Sequence, residues 1–349
     1  MRDLLASSRS EMVEAFLDRY KESTMKTLFA YLPKREPRRY LYDLVGSYPL
    51  RSGKGLRPGL CLATCRAFGG DERQVLRSAA AIELFHNAFL VHDDVEDGSE
   101  YRRGRPTLHA EHGVAIAVNV GDAMNILSIR PLMENLGSLG PDLTWQVFVE
   151  IEHMIRQSVE GQAMELGWVR DNICDLTEDD YLRMTLKKTC WYTSIHPCRV
   201  GALIAMGGSP DLDRFNRFGY YMGVAFQIQD DILNLVGDRK KYGKEIGGDI
   251  WEGKRTMMLL HLLNSSTGME KERLCLFLGK PRSERTEKEV RWVYRLMDKY
   301  DSIEFSRSSG RQLAGAAMRE FYVAYGGLPE SKDKEFIQNI ILYMIDRDL

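Results

Sequence analysis

Two apolar, helix-patterned segments that each end in a cluster of acidic residues constrain the fold of this chain more than any other feature. The first cluster is Asp93-Asp94-Val95-Glu96-Asp97, and the second is Asp230-Asp231-Ile232-Leu233-Asn234. Residues four apart lie about 40° apart around a helix, so Asp93 and Asp97 share one face, as do Asp230 and Asn234. The fold must therefore bury the apolar segments while it keeps both acidic ends accessible.

A single acidic cluster is explained as well by a solvated helix end as by a binding site. Two clusters with matching apolar lead-ins, Phe89-Leu90-Val91-His92 and Phe226-Gln227-Ile228-Gln229, weaken that explanation. Carboxylate oxygens are the ligands that Mg²⁺ prefers, and each pair can hold one hard cation. Two such helix ends facing each other across a cavity predict a site for several Mg²⁺ ions and a diphosphate leaving group.

Composition and charge narrow the class of protein. The 349 residues are 44% hydrophobic and 28% charged, and the formal net charge of −2 gives no overall attraction to nucleic acid or anionic lipid. The six cysteines form no CxxC pair and no zinc-finger spacing, so we expect buried thiols in a reducing compartment. We find neither a signal-peptide pattern nor an apolar stretch long enough to span a membrane, and we predict a cytoplasmic protein.

Helical periodicity runs through most of the chain, and alternating strand-like segments are scarce. One continuous helical stripe before the first acidic cluster consists of Val75, Ala79, Ile82, His86, Leu90 and Asp93. The recurrence of an acidic helix end suggests two quasi-equivalent halves around one cavity. We therefore predict an all-α, single-domain helical bundle over residues 1–349, with a core at about 40–265 and peripheral C-terminal helices at 270–349.

Two basic segments in the first half of the chain are placed to bind phosphate. Residues 51–58 read RSGKGLRP, in which Lys54 and Arg57 lie three apart and can point to one place. The second segment follows the first acidic cluster and contains the adjacent Arg102 and Arg103. Successive side chains diverge, so these two arginines suit two different diphosphates on either side of a metal site.

A third basic segment follows the second acidic cluster. It covers residues 244–256 and contains Lys244 and Lys254. A glycine-containing loop with lysines at this place predicts a cover that closes over a metal-bound diphosphate.

Four further polar residues lie on helix-patterned runs: Lys188, Gln162, Glu165 and His86. Burial of Lys188 would be costly without an anion to pair with, although a solvent-facing lysine is the simpler explanation. Gln162 and Glu165 lie three apart and suit metal-bound water or the orientation of Lys188. His86 lies about two helical turns before Asp93 and points towards the anion site.

In this order, the motifs resemble those of the trans-isoprenyl diphosphate synthases, also called polyprenyl synthetases. The likeness runs from the segment near Lys54 to Lys254-Arg255-Thr256 and extends in weaker form to both ends. It implies an isoprenoid-synthase type of helical fold, a homodimer and three Mg²⁺ ions at each active site. It also implies a prenyltransferase whose substrates are isopentenyl diphosphate and an allylic diphosphate: dimethylallyl, geranyl or farnesyl.

The resemblance implies a role for each matching residue. Isopentenyl diphosphate would be bound by Lys54, Arg57, His86 and Arg103. The allylic diphosphate would be bound by Arg102, Lys188, Lys244 and Lys254. The metal ligands would be Asp93, Asp97 and Asp230, with Asp94 and Asp231 acting behind them or through water. The groups facing the developing allylic cation would be the carbonyl of Thr189 and the side chain of Gln227.

The chain departs from the family pattern at three positions, at one of which Glu165 replaces the usual aspartate. Gly55 stands where the family often has a basic residue, and Asn234 ends the second motif where aspartate is commonest. The spacing of Asp230, Asn234 and Asp238 is reminiscent of the metal triad of class I terpene cyclases, which leaves a cyclase acting on one prenyl diphosphate as an alternative. A non-catalytic regulatory subunit is the third hypothesis. The complete second set of diphosphate-binding cations favours the synthase.

The length of the product depends on the side chains one turn before Asp93. Ala88 and Phe89 occupy the fifth and fourth positions upstream. In the family, large aromatic residues at both positions accompany C15 products. One small and one large residue predict an intermediate depth and hence C20 geranylgeranyl diphosphate, with C15 and C25 as the next candidates.

Overall fold

The computed structural model describes residues 2–51, 53–208, 210–237 and 247–345, with side chains from residue 9 onward. The prediction of an all-α fold is confirmed. In these ranges, strand is confined to one antiparallel pair, β1 (Tyr101–Arg102) and β2 (Arg105–Pro106). None of the helices described here is long and apolar enough to cross a membrane.

The first acidic cluster occupies the end of a long helix. The chain begins with α1 (Arg2–Tyr31), a π-helical turn (Arg38–Tyr42), α2 (Asp43–Ser47), α3 (Leu56–Ala67) and α4 (Glu72–Asp97). Helix α4 begins after Asp71, whose carboxylate accepts a hydrogen bond from the N–H of Arg73. It ends at Gly98, whose φ of 64° favours a residue without a Cβ. The cluster therefore lies in the last turn of α4, as the sequence predicts.

Close helix packing brings one long helix next to the segment that carries Lys188. The next helices are α5 (Leu108–His112), α6 (Val114–Glu134), α7 (Leu136–Leu139) and α8 (Pro141–Arg170). Helix α6 packs along α4, whereas α8 packs against the segment that carries Lys188. A Cβ on Gly161 would lie 2.2 Å from the backbone nitrogen of Lys188, so only glycine permits this approach.

The segment around Lys188 is a widened helix. Helix α9 (Glu178–Thr185), a π-helical segment (Leu186–Ile195) and α10 (His196–Ala205) follow one another without a break. The N–H of His196 donates to the carbonyl of Trp191, five residues earlier. Pro197 has no N–H, and its ring would clash with the carbonyl of Thr193, so the helix widens as it approaches the proline. Such π-helical turns are frequent at functional sites.

The second acidic cluster also ends a long helix. The remaining described elements are α11 (Arg214–Val236), α12 (Gly248–Glu252), α13 (Met257–Ser265), α14 (Gly268–Leu278), a 3₁₀ turn (Arg282–Glu284), α15 (Glu287–Lys299), α16 (Ser302–Tyr325) and α17 (Lys332–Ile345). The cluster that begins at Asp230 lies in the last two turns of α11. Helix α11 packs against the π-helical segment, so the second acidic cluster lies near that segment.

Helices α16 and α17 are not peripheral, contrary to the prediction for residues 270–349. Phe321 of α16 and Phe336 of α17 are fully buried, and they belong to the same core cluster as Leu60 of α3 and Val75 of α4. Apolar residues recur every three or four positions in both helices, but the many charges before them in sequence masked that pattern. The core therefore extends to the last described helix.

Candidate active site

One cavity of about 1060 Å³ lies between α4, α8, the π-helical segment and α11. Most of the residues singled out in the sequence line it. They are Lys54, Arg57, His86, Phe89, Asp93, Arg102, Arg103, Lys188, Thr189, Gln227, Asp230, Asp231 and Lys254. Asp94 and Asp97 lie behind this wall and bond to lining residues, whereas Lys244 lies outside the described residues.

Asp93 and Asp94 share one arginine but face different surroundings. Asp93 lines the cavity and accepts a hydrogen bond of 2.9 Å from Nη2 of Arg102. Asp94 is 1% exposed and accepts hydrogen bonds from Nε of Arg102 at 2.5 Å and from the hydroxyl of Tyr48 at 2.6 Å. Burial lowers the pKa of Arg102, but the carboxylates of Asp94 and Asp93 together raise it by more than burial lowers it. The guanidinium therefore stays charged. Asp94 therefore orients Arg102.

Two lysines from other parts of the chain reach the first acidic cluster. Nζ of Lys254 lies 2.5 Å from Oδ2 of Asp97 and 3.1 Å from Oε2 of Glu252. Nζ of Lys188 forms ion pairs with Glu165 and, at 3.3 Å, with Asp93. The expectation that Glu165 orients Lys188 agrees with this geometry.

Burial and neighbouring charges together shift the pKa values of the ionisable groups in this part of the site. Burial raises the pKa of Asp97 to about 7, and the neighbouring charge of Asp93 adds to the rise although Lys254 opposes it. The pKa of Lys188 lies above its usual value, because the carboxylates of Glu165 and Asp93 outweigh the opposing effect of burial. Cations and carboxylates are thus interleaved along this wall.

In the second acidic cluster, Asp230 presents its carboxylate to the cavity, Asp231 also reaches the cavity but is largely buried, and Asn234 is buried. Asp231 accepts hydrogen bonds from Nε2 of Gln227 at 2.7 Å and from the hydroxyl of Tyr181 at 3.0 Å, while burial raises its pKa to about 7. The Oδ1 atom of Asn234 accepts a 3.1 Å hydrogen bond from the N–H of Asp249, at the start of α12.

Asn234 therefore anchors α12 and does not share the cavity face with Asp230, contrary to the prediction from their spacing. The carboxamide is 4% exposed and is not among the residues that line the cavity. The third position of the proposed cyclase triad, Asp238, lies outside the described residues. In the described part of the chain, the second cluster thus contributes Asp230 as its cavity-facing carboxylate, with Asp231 partly behind it.

A second group of cations lies at the other side of the cavity. Nη1 of Arg57 lies 3.2 Å from Nε2 of His86, and Nη2 donates to Oγ1 of Thr193 at 2.8 Å. The Arg57 guanidinium also lies over the ring of Tyr192, 4.3 Å from its centroid. Burial, and then the charge of Arg57, lower the pKa of His86, so this histidine is neutral at physiological pH.

Lys54 and Arg103 complete this cation group. Nζ of Lys54 lies 5.0 Å from the ring centroid of Tyr343 and donates to its hydroxyl at 3.3 Å. Arg103 has a φ of 54° and donates from Nη1 to the carbonyl of Arg51 at 3.1 Å. Its guanidinium lies so close to Gly53 that a Cβ there would be 2.7 Å from Nη1. Backbone strain and close packing therefore fix where Arg103 points.

Sequence reasoning missed several residues of this cation group. Tyr343 comes from α17, which we expected at the periphery, and Tyr192 and Thr193 carry no motif. Glu83 also lines the cavity, and burial raises the pKa of its carboxyl although Arg57 and Arg103 lower it. Its position three residues before His86 on the α4 stripe was the only available signal.

The apolar end of the cavity contains Phe89 but not Ala88. Phe89 lines the cavity, and its ring centroid lies 4.6 Å from that of Phe85 and 5.7 Å from that of Tyr192. Ala88 is fully buried in a separate core cluster with Leu84 and residues of α6. The prediction that Ala88 forms the floor is wrong in this respect, because adjacent helical positions point about 100° apart.

The carboxylates of Asp93 and Asp230, with Asp97 behind them, form an acidic wall of the cavity. This acidic wall has the oxygen donors that a hard cation requires, but few at any one point. Among the described residues, no group of three or more His, Cys, Asp or Glu side chains is arranged to hold a metal ion. Asp93 and Asp230 each present a carboxylate to the cavity from different helices. Such a wall suits metal ions whose other ligands come from a diphosphate or from water.

Comparison with known proteins agrees with this geometry. The sequence model of the family described as polyprenyl synthetase matches residues 38–297. A geranylgeranyl diphosphate synthase of Saccharolobus solfataricus is 33% identical over 261 residues, which cover 72% of this chain and 78% of that protein.

Solved structures are similar over nearly the whole chain. A geranylgeranyl pyrophosphate synthetase from Pyrococcus horikoshii superposes with a TM-score of 0.83 at 30% identity and covers 96% of this chain and 99% of that one. A polyprenyl synthase from Caulobacter crescentus, solved with calcium and isoprenyl diphosphate, has a TM-score of 0.84 at 25% identity and covers 97% and 98%.

Proposed function

We propose a reaction for this chain on the premise that it belongs to the polyprenyl synthetase family and is a prenyltransferase. The reaction condenses isopentenyl diphosphate with an allylic diphosphate and yields a short-chain trans-prenyl diphosphate. One observation carries the proposal. A single cavity combines cavity-facing carboxylates, Asp93 and Asp230, with a separate cation group that contains Lys54, Arg57 and Arg103.

The acidic wall fits Mg²⁺ by the chemistry of its donors. By resemblance to the family, Asp93, Asp97 and Asp230 would hold three Mg²⁺ ions together with diphosphate oxygens and water, and Asp97, which lies behind the cavity wall, would have to exchange its bond to Lys254 for the metal. Bound Mg²⁺ would neutralise the leaving diphosphate and polarise its C–O bond. The Caulobacter protein that was solved with calcium and isoprenyl diphosphate supports a divalent cation in this role.

The basic residues around the acidic wall would bind the allylic diphosphate. Lys188, Lys254 and Arg102 stabilise negative charge on the leaving group as the allylic C–O bond breaks and its electron pair passes to oxygen. Lys244 would join them by resemblance to the family. By resemblance to the family, the carbonyl of Thr189 and the side chain of Gln227 would face the allylic cation. The hydroxyl of Thr189 donates a 2.9 Å hydrogen bond to Oε1 of Gln227, which orients that side chain.

The second cation group would bind isopentenyl diphosphate. Lys54, Arg57 and Arg103 carry the charge, and neutral His86 adds a hydrogen-bonding nitrogen. The C=C bond of this substrate attacks the allylic cation and forms a new C–C bond. The C=C bond is itself the nucleophile, and the proton lost from the isopentenyl unit passes to the released diphosphate, so the protein needs to supply neither a nucleophile nor a base. The aromatic rings of Phe89 and Tyr192 keep water from the cation.

The product we propose is C20 geranylgeranyl diphosphate. The names of the Saccharolobus and Pyrococcus relatives support this length. Phe89 narrows the apolar part of the cavity one turn before Asp93, so it would limit the length of the growing chain. C15 and C25 products remain the next candidates.

We also propose that the active form is a homodimer. Two neighbouring helices carry large apolar side chains that are 39–70% exposed in the single chain: Val118, Ile126, Ile129 and Met133 on α6, and Trp145, Val149 and Val159 on α8. Exposure of such an apolar face to water is unfavourable. By resemblance to the family, we propose that a second copy of the chain covers it. The six free thiols suit the cytoplasm, which is the location we propose.

The two alternative functions, a terpene cyclase and a regulatory subunit, do not account for all the binding groups in the cavity. A terpene cyclase uses one diphosphate and has no need of a second cation group around Arg57. A regulatory subunit has no need of a complete acidic wall. Asn234, which suggested the cyclase triad, bonds to the backbone of α12 instead.

One assay separates these functions. Purified protein is incubated with Mg²⁺, labelled isopentenyl diphosphate and dimethylallyl, geranyl or farnesyl diphosphate, and the products are identified. Label in a longer diphosphate is the expected result. A hydrocarbon made from the allylic substrate alone would favour the cyclase, and the absence of any product would favour the subunit.

A further inference from the structure

Two buried arginines, Arg255 and Arg285, bond to protein oxygens around the turn that leads to Lys254, and Arg255 also lines the cavity and donates from Nη2 to Oδ1 of Asn172 at 2.9 Å. Arg255 is 1% exposed, and it donates from Nε to the carbonyl of Ile173 at 3.1 Å and from Nη1 to the carbonyl of Gly253. Arg285 is 6% exposed and lies 30 residues further along the chain. Its Nη1 donates to the carbonyl of Trp251 at 2.6 Å, and its Nη2 to the carbonyl of Leu278 at 2.8 Å.

Three of the carbonyls that these arginines bind belong to the turn that ends α12: Gly253 for Arg255, and Ile250 and Trp251 for Arg285. Gly253 follows the helix with a φ of 70°, and its N–H donates to the carbonyl of Ile250 at 3.2 Å. The N–H of Lys254 donates to the carbonyl of Asp249 at 2.9 Å. This pattern is a glycine-terminated helix end, which sets the direction of the next residue. Lys254 leaves the turn towards Asp97.

Arg285 is packed tightly against this turn. A Cβ on Gly253 would lie 2.7 Å from Nη2 of Arg285, so the guanidinium occupies the space that any larger residue would need. The other side of the guanidinium lies near the ring of Phe277, 5.3 Å from its centroid. Burial of the Arg285 guanidinium against carbonyl groups costs folding free energy. The chain tolerates this cost, which indicates that the position of the turn after α12 matters.

We propose that Arg285, assisted by Arg255, is a positioning residue for Lys254 in the condensation reaction. The outer lobe formed by α14 and α15 thereby acts on the active site through the carbonyls of the α12 turn. This inference rests on the proposed function, because Lys254 matters to catalysis only if a diphosphate leaves beside Asp97. Neither guanidinium needs to touch the substrate.

A double-mutant cycle tests this coupling. The variants are Arg285→Met, which removes the donors, Lys254→Met, and the two combined, with Arg273→Met as the matched control. Arg273 belongs to the same lobe but packs on Trp292, 4.1 Å from its ring centroid. Steady-state kcat and the KM of each substrate are measured for all four variants.

The positioning role predicts a non-additive result. Arg285→Met should lower kcat about 10-fold with little change in the KM of isopentenyl diphosphate, and it should add no further loss to Lys254→Met. Arg273→Met should behave as the unmodified chain. Multiplied losses in the double variant, or an equal loss from Arg273→Met, would overturn the proposal, because either result would mean that Arg285 acts on the fold in general.

A second measurement does not depend on activity. Hydrogen exchange followed by mass spectrometry should show faster exchange in residues 247–256 of Arg285→Met and unchanged exchange in α4. If Arg285→Met does not fold, Arg285→Lys, which keeps the charge but removes the guanidinium that joins the carbonyls of Trp251 and Leu278, should give the same pattern. Unchanged exchange at 247–256 in the folded variant would refute the positioning role. If the unmodified chain makes no prenyl diphosphate, the proposed function fails, but the exchange result still decides whether Arg285 holds the turn.

Discussion

Nε of Arg102 donates a 2.5 Å hydrogen bond to Oδ1 of Asp94, and this buried pair links the first acidic cluster to the basic segment that follows it. The carboxylate of Asp94 is thereby directed away from the cavity, whereas Asp93, the preceding residue, lines it. Two adjacent aspartates of one motif thus have different tasks. Asp93 is available to a metal ion, and Asp94 fixes an arginine that faces the leaving group.

Substitution of these two aspartates by asparagine should have different kinetic effects. Asp93→Asn should lower kcat on the order of 10²- to 10³-fold and raise the Mg²⁺ concentration needed for half-maximal rate, because it removes a charged ligand. Asp94→Asn should lower kcat less, about 10-fold, and leave the Mg²⁺ requirement nearly unchanged. Mg²⁺ titration of the rate checks both variants. Equal Mg²⁺ shifts in the two would show that both carboxylates bind metal.

Arg103→Ala should weaken the binding of one substrate only. Arg103 belongs to the cation group around Arg57, apart from the acidic wall, so the KM of isopentenyl diphosphate should rise about 10- to 100-fold. The KM of the allylic diphosphate should change by less than about threefold, since Arg102 is untouched. Arg73→Ala, which removes an exposed arginine bonded to Asp71, is the matched control. A parallel rise in both KM values would mean that the two anion sites are not separate.

Phe89→Ala should lengthen the product. The ring of Phe89 narrows the cavity beside Tyr192, and its removal opens space for at least one more isoprene unit. Ala88→Gly is the control, because Ala88 packs outside the cavity and its loss costs only about 1 kcal/mol of helix stability. Chromatography of the dephosphorylated products gives the chain lengths. An unchanged product from Phe89→Ala would place the floor elsewhere.

The parts of this site that the sequence predicted are those whose chemistry depends on local spacing. Asp93 follows its helical stripe to the cavity, and Arg102 follows the cluster directly, so periodicity and order were enough. The family motif also identified Lys188, whose ion pair with Glu165 joins two helices far apart in sequence.

The parts that the sequence did not predict depend on contacts between distant segments. Spacing alone put Asn234 on the face of Asp230, but the N–H of Asp249 captures its carboxamide. Tyr343 reaches Lys54 because α17 packs into the core, and the charged residues before α16 gave no indication of this. Such placements are decided by which helices meet, and the local spacing of residues along the sequence does not reveal this.

Acid should destabilise the chain through a buried histidine outside the active site. Nδ1 of His196 lies 2.8 Å from Oε2 of Glu150, and its Nε2 lies 2.9 Å from Nδ1 of His153. Burial lowers the pKa of His196 from its usual 6.5 to about 4, although Glu150 raises it and Arg199 lowers it further. Between these values the unfolded chain binds more protons than the folded chain. His196 should therefore contribute a fall of roughly 3 kcal/mol in the free energy of unfolding as the pH falls from 6.5 to 4, whereas the raised pKa values of Asp97 and Asp231 act in the opposite direction.

Glu150 contributes in a separate, lower window. Hydrogen bonds from Arg199 and His196 lower its pKa to about 2 despite burial, so its stabilising effect is lost only below its unfolded value of 4.5. Denaturant unfolding of His196→Gln at several pH values should show a flatter dependence between pH 6.5 and 4 than the unmodified chain. His112→Gln, at an exposed position, should keep the original slope. The same slope in all three proteins would rule out His196 as the titrating group.

The exposed face of α6 and α8 should determine the oligomeric state. Ile126 and Trp145 are 68% and 70% exposed, and a second copy that covers them would remove a large apolar area from water. Ile126→Lys and Trp145→Lys should therefore shift the protein from dimer to monomer in sedimentation velocity at micromolar concentration. Leu276→Lys on α14, where the side chain is 73% exposed, should leave the dimer intact. A monomeric unmodified chain, or dissociation by Leu276→Lys alone, would place the contact between copies on another surface.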